Sequence, residues 1–187
     1  MKVIAIVGMT GSGKTELAGM MEKEGYHKIR FGDITEEKIK EAGLQVNEKN
    51  ERYIREKLRK DHGMAAYAIL NEPKITKALK KSDVVADGLY SWEEYLYLKE
   101  KFGNRLIVLA VYSPPSLRHK WLGKRPVRPL TPEEAQSRDK SEIENINKVG
   151  PIAIADYMIR NIGTMDELKK EYENFKRWLN EQKTDMG

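Results

Sequence analysis

Residues 8–15 read Gly-Met-Thr-Gly-Ser-Gly-Lys-Thr, which fits the phosphate-binding pattern G-x-x-x-x-G-K-[ST] without a mismatch. Such spacing supports the holding of a nucleotide's phosphate chain. Gly8, Gly11 and Gly13 let the backbone approach phosphate oxygens with no Cβ in the way, and Ser12 lies in the same cradle of backbone N–H groups. Lys14 is spaced to reach the β- and γ-phosphates, and the Thr15 hydroxyl to ligate Mg²⁺.

Four further groups carry chemistry. Asp87 closes an apolar run and precedes Gly88; a carboxylate at that strand tip can hold Mg²⁺, or the Asp-Gly pair can simply turn the chain. Arg118, Arg125, Arg128 and Arg138 are candidates to stabilise charge on a transferred phosphoryl group, or else form a solvated basic surface. Asp33, after Phe31-Gly32, can orient an acceptor hydroxyl and take its proton, or cap the helix that follows. Arg52, Arg55 and Arg59 recur at i, i+3, i+7 on one face of a predicted helix, where they can meet an acceptor's phosphates or face water.

The elements that must position these residues alternate between strand and helix. Strands are predicted at 2–8, 26–31, 83–87, 105–112 and 157–160, with helices from the phosphate loop to about Glu24, at 91–102, 114–122 and 132–148, and from 165 to near 183. The pattern predicts an α/β fold: a parallel sheet with helices on both faces, in one domain over 1–187. Residues 33–82 form a helical insertion, and 118–131 a short basic loop stiffened by Pro126 and Pro129. Ser91 and Thr131 are predicted N-caps, each followed by Glu three residues on. Trp92, Tyr95, Leu96 and Phe102 are expected in the core.

Composition narrows the classes. The chain has 187 residues, 40% of them hydrophobic and 34% charged, with a net charge of +5 and signs mostly interleaved. That balance suits a phosphate-bearing partner without a dedicated nucleic-acid tail. No apolar stretch approaches the length of a membrane span. Cysteine is absent and the sequence opens directly on a strand, which points to a cytoplasmic protein without disulfides.

Together, Gly8–Thr15, Asp87-Gly88, the basic segment and Ser137-Arg138-Asp139 resemble the P-loop nucleoside and nucleotide kinases. The stretch from Ala155 to Leu168 is similar to the last strand and adenine-side loop of dephospho-coenzyme A kinases, and the whole chain resembles an archaeal dephospho-coenzyme A kinase-like family. The resemblance implies a three-layer α/β/α fold with a five-stranded sheet in the order 2-3-1-4-5, and ATP and Mg²⁺ as cofactors. It implies an acceptor region at 33–82 and a lid at 114–131. It sets Asp33 towards the acceptor, Lys14 and Arg138 on the phosphates, and Asn161 and Gly163 on the adenine. Adenylate-type kinases continue Asp-Gly with Phe-Pro-Arg; here Leu89-Tyr90-Ser91 follows, which argues for a different acceptor.

The expected activity is ATP-dependent phosphoryl transfer to a small nucleotide-like acceptor, with dephospho-coenzyme A or a nucleoside monophosphate as candidates. A second reading is a nucleotide-dependent ATPase or switch acting on RNA or a protein partner.

Overall fold

The computed structural model describes residues 1–126 and 129–184. Among these, five strands form one parallel sheet: β1 (Val3–Val7), β2 (His27–Arg30), β3 (Val84–Asp87), β4 (Leu106–Tyr112) and β5 (Tyr157–Arg160), in the order β2-β3-β1-β4-β5. Each predicted strand is present, with its ends trimmed by at most one residue. Every side chain of β1 is buried, as expected of a central strand covered on both faces. From β1 the chain builds one half of the sheet through β3 and β2 and the other through β4 and β5. The order therefore reverses beside β1, and α/β folds bind ligands at the carboxyl ends of strands at such a point.

Helix α1 (Lys14–Lys23) follows the phosphate loop, and the insertion supplies α2 (Asp33–Glu41), α3 (Glu48–His62) and α4 (Ala66–Ala78). Then come α5 (Trp92–Phe102), α6 (Pro115–Gly123), α7 (Pro132–Glu144), α8 (Val149–Ala153) and α9 (Met165–Thr184). Ser91 and Thr131 cap α5 and α7 as predicted, the second in a full capping box with Glu134. Alternation along β1 divides the core. Val3, Ala5 and Val7 pack with Phe31, Tyr67, Leu98 and Phe102 beneath the insertion and α5. Ile4 and Ile6 pack with Leu17 and Met21 of α1 and with Leu168, Tyr172, Phe175 and Leu179 of α9.

Two expectations are corrected. The helix predicted over 132–148 ends at Glu144, because Asn147 takes a positive φ of 51° and breaks the run before α8. Leu96 is exposed rather than core; Leu98 and Phe102 carry the buried face of α5, while Trp92 and Tyr95 meet as a tilted ring pair with centroids 5.1 Å apart.

Candidate functional site

The phosphate loop is shaped by close approaches that only glycine allows. Gly8 has φ +147°, and a Cβ there would lie 2.5 Å from the Val111 carbonyl oxygen. Gly13 has φ +95°, and a Cβ there would strike the Asn161 side-chain amide. Carbonyls of the loop are pinned from outside. Asn161 Nδ2 and the Ser113 hydroxyl donate to the Ser12 carbonyl at 3.0 and 3.2 Å, and Arg118 donates to the Thr10 carbonyl at 3.0 Å. The Ser12 N–H closes a turn onto the Met9 carbonyl at 3.2 Å, and its buried hydroxyl has no partner. Asn161 thus supports the loop as well as lining the cavity beside it.

Lys14 begins α1 and curls over the loop, donating to the carbonyls of Gly8 (2.9 Å) and Met9 (3.0 Å). Burial, and next the Lys148 ammonium, push Lys14 down to about 7. An anion held here would reverse that push. The Thr15 hydroxyl donates to Asp87 Oδ2 at 3.2 Å, pairing the first turn of α1 with the tip of β3. Burial raises Asp87 above its ordinary range, against the pull of Lys14 and the Thr15 hydroxyl. Two hard oxygen donors at a phosphate loop suit Mg²⁺, which takes few protein ligands and completes its shell with water and substrate phosphates. No group of three or more His, Cys, Asp or Glu able to hold a metal occurs among the described residues.

Beside the loop opens a cavity of about 390 Å³, with Lys14, Trp121, Arg125, Asn161, Gly163 and Met165 in its wall. It runs from the loop to the segment between β5 and α9, which fits a nucleotide whose phosphates lie on the loop and whose base lies towards Gly163. Trp121 adds an aromatic side chain to that wall.

The basic residues separate into distinct roles. Arg118, a lid candidate, is buried and serves the scaffold instead: it donates to the Ser113 carbonyl (3.1 Å), to Thr10, and to both Asp139 oxygens at 2.7 Å. Its place on the inward side of α6 directs it there. Arg125 lines the cavity, and Arg138 lies 3.7 Å from Glu142. Arg128 lies outside the described residues.

In the insertion, Asp33 opens α2 without capping it and accepts from Arg30 at 3.2 Å. The predicted arginine row splits. Arg52 is solvent-facing and donates to Glu56 at 2.9 Å, whereas Arg55 is half-buried beside Glu51 at 3.3 Å. Arg59 points inward, with its guanidinium 5.7 Å from the Tyr67 ring centroid and its Nε buried without a partner.

Sequence reasoning missed an interior polar group linking the two sides. Glu94, fully buried, accepts from the Tyr90 N–H at 2.7 Å, and its other oxygen has no partner. Burial raises its carboxyl to about 7, against the Tyr90 N–H and Arg59. Glu142 accepts from the Thr10 N–H at 3.0 Å and from the Thr10 hydroxyl, and it pairs with buried Lys148 at 2.9 Å. Burial opposes ionisation of Glu142, but Lys148 and Thr10 outweigh it and hold the carboxyl below its ordinary range. The signal available was Asn145-Ile146-Asn147, a turn-prone run that sends Lys148 inward.

No family model matches the chain. The fold is that of P-loop kinases. A shikimate kinase from Bacteroides thetaiotaomicron aligns with TM-score 0.62 at 14% identity, covering 96% of this chain and 98% of that one. A gluconokinase from Sinorhizobium meliloti aligns with TM-score 0.55 at 16% identity, covering 91% and 88%. In sequence, the UPF0200 protein of Pyrococcus abyssi is 37% identical over 176 residues, 91% of this chain and 93% of that protein. The UPF0200 protein of Sulfurisphaera tokodaii is 39% identical over 178 residues, covering 92% and 94%. Relatives at this identity, matched over nearly their whole length, show that the chain belongs to the UPF0200 family.

Proposed function

We propose that this chain is an ATP-dependent small-molecule phosphotransferase. The observation that carries the reading is the joining of three features at one place: the phosphate loop, the Thr15–Asp87 pair and the cavity of about 390 Å³ leading to Gly163. The likeness in fold to a gluconokinase and to shikimate kinases supports it. The acceptor is of nucleotide-like type, with dephospho-coenzyme A and the nucleoside monophosphates as candidates.

Gly8–Thr15 hold the donor's phosphates, and Lys14 exchanges its two carbonyl partners for phosphate oxygens. Thr15 and Asp87 would hold Mg²⁺. When bound, that ion screens charge on the β- and γ-phosphates and orients the γ-phosphorus for in-line attack. Arg125, Arg128 and Arg138 neutralise charge that spreads over the moving group. Asp33 takes the proton of an acceptor hydroxyl, and Arg52, Arg55 and Arg59 receive an acceptor's anionic groups. For a phosphate acceptor no base is needed, since its oxygen is already ionised. A screen of acceptors with ATP and Mg²⁺, read as ADP formation, tests this. One acceptor is expected to raise the rate well above background, and ADP formation indifferent to every acceptor contradicts the reading.

A second reading, an ATPase or switch acting on RNA, draws on one feature. A groove of about 400 Å³ beside edge strand β2 is lined by Lys28, Arg30, Lys74, Lys77 and Lys81. Most of its charges face carboxylates nearby, as Lys28 does Glu22 and Lys74 does Glu37. RNA binding that weakens steeply with salt would favour this reading.

A further inference from the structure

Lys148 is 1% exposed, yet no part of the expected nucleotide machinery names it. Its Nζ donates to Glu142 Oε2 at 2.9 Å, and that same oxygen accepts the backbone N–H of Thr10 within the phosphate loop. The Lys148 ammonium also lies 5.4 Å from the centroid of the Tyr90 ring. Tyr90 follows the Asp87-Gly88 tip, and its hydroxyl packs against Gly88. Lys148 is therefore bracketed by the donor loop on one side and by the β3 tip, with Glu94 behind it, on the other. The positive φ of Asn147 and the Lys148 N–H bond to the Glu142 carbonyl at 3.2 Å turn the chain so that this side chain enters.

A purely structural role accounts poorly for this placement. A buried lysine–glutamate pair adds little net stability, because both charges lose their hydration. This lysine also stands near Lys14, so that two buried ammoniums repel each other. Around the loop, Lys14, Lys148 and Arg138 face Glu142 and Asp87, and Asp87 would be neutralised further by a bound cation. Burial lowers both lysines, and an anion arriving beside them would restore their full charge, which is what a group of growing negative charge needs.

Resting on the phosphotransferase reading, we propose that Lys148 is a second catalytic lysine, held by Glu142 between the two substrate sides so that it contacts the phosphoryl group in flight. The bond from the γ-phosphorus to the bridging oxygen breaks with its electron pair left on ADP, while the acceptor oxygen bonds to phosphorus. An acceptor hydroxyl's proton goes to Asp33. Lys148 keeps its proton throughout and stabilises charge on the equatorial oxygens.

The test is calorimetric binding of ADP to the full chain with Mg²⁺, with and without aluminium fluoride, whose complex with ADP imitates the group in flight. Wild type is expected to bind ADP, and to bind it more tightly with aluminium fluoride. Lys148→Met is expected to bind ADP within about twofold of wild type and to lose about a hundredfold of the tightening, the scale of one preorganised donor. Should that variant fail to fold because Glu142 is left unpaired, Lys148→Met combined with Glu142→Gln removes both charges and is expected to show the same loss. Full tightening in either folded variant overturns the proposal. Wild type that binds no ADP at all overturns the phosphotransferase reading itself, and the role of Lys148 with it.

Discussion

The Thr15 hydroxyl donates to Asp87 Oδ2 at 3.2 Å, joining residues 72 positions apart at the meeting of α1 and β3. The register that sets Asp87 beside Ile6 brings the tip of β3 to the phosphate loop. Asp87→Asn removes the carboxylate charge while keeping an oxygen in place. We expect ADP affinity in this variant to lose most of its enhancement by Mg²⁺, while affinity in excess EDTA stays close to wild type. Paired titrations with Mg²⁺ and with EDTA check this.

Lys14→Ala is expected to lower turnover by at least about a hundredfold and to leave the thermal melt nearly unchanged. Its ammonium serves the Gly8 and Met9 carbonyls and no apolar core, so truncation leaves no large cavity. Turnover near wild type would remove this lysine from the account.

Arg118, within α6, and Arg125, just beyond its end, differ in kind. Arg118→Ala leaves Asp139 without its bidentate partner and the Thr10 carbonyl unpinned, and is expected to cost about 3–5 kcal/mol of stability. Arg125→Ala, at an exposed cavity wall, is expected to change stability by no more than about 0.5 kcal/mol while weakening nucleotide binding. Urea melts and nucleotide titrations on both variants separate the two roles.

The fold was largely legible because its signals are local. Val3–Val7 is uniformly apolar, the glycines of the octet force the turn, and Thr131 with Glu134 announces α7. The shape of the phosphate loop follows from the octet, while Asp87 and Asn161 reach it only through the fold. The interior charges were hidden: Glu142 and Lys148 read as ordinary helix-surface residues until packing turns them inward, and Glu94, expected as the capping glutamate of α5, accepts instead from the Tyr90 N–H. Arg118 failed as a lid residue for the same reason: a sequence shows its charge but not the Asp139 that consumes it.

Glu94 gives the fold a pH dependence. Its carboxyl is raised from 4.5 to about 7, chiefly by burial, so the folded chain holds this proton more tightly than the unfolded one. The resulting stabilisation is fully present below about pH 4.5 and is lost as pH rises through about 7, amounting to roughly 3 kcal/mol. Glu94→Gln is expected to flatten this component. Urea melts of both proteins from pH 5 to 8 check it as a stability difference that narrows or widens with pH.

Phe175 anchors α9 in the core shared with Ile4 and Ile6. Phe175→Ala is expected to cost about 3–5 kcal/mol. A denaturant midpoint lowered with an unchanged slope is the expected signature.

Passage of a phosphoryl group from donor to acceptor across Lys14 and Asp87 is tested by following the label of ATP radiolabelled at the γ-phosphate. With Mg²⁺ and dephospho-coenzyme A or a nucleoside monophosphate present, label is expected in the acceptor with wild type and not with Lys14→Ala. Label appearing solely as inorganic phosphate, at a rate that no acceptor alters, would contradict it.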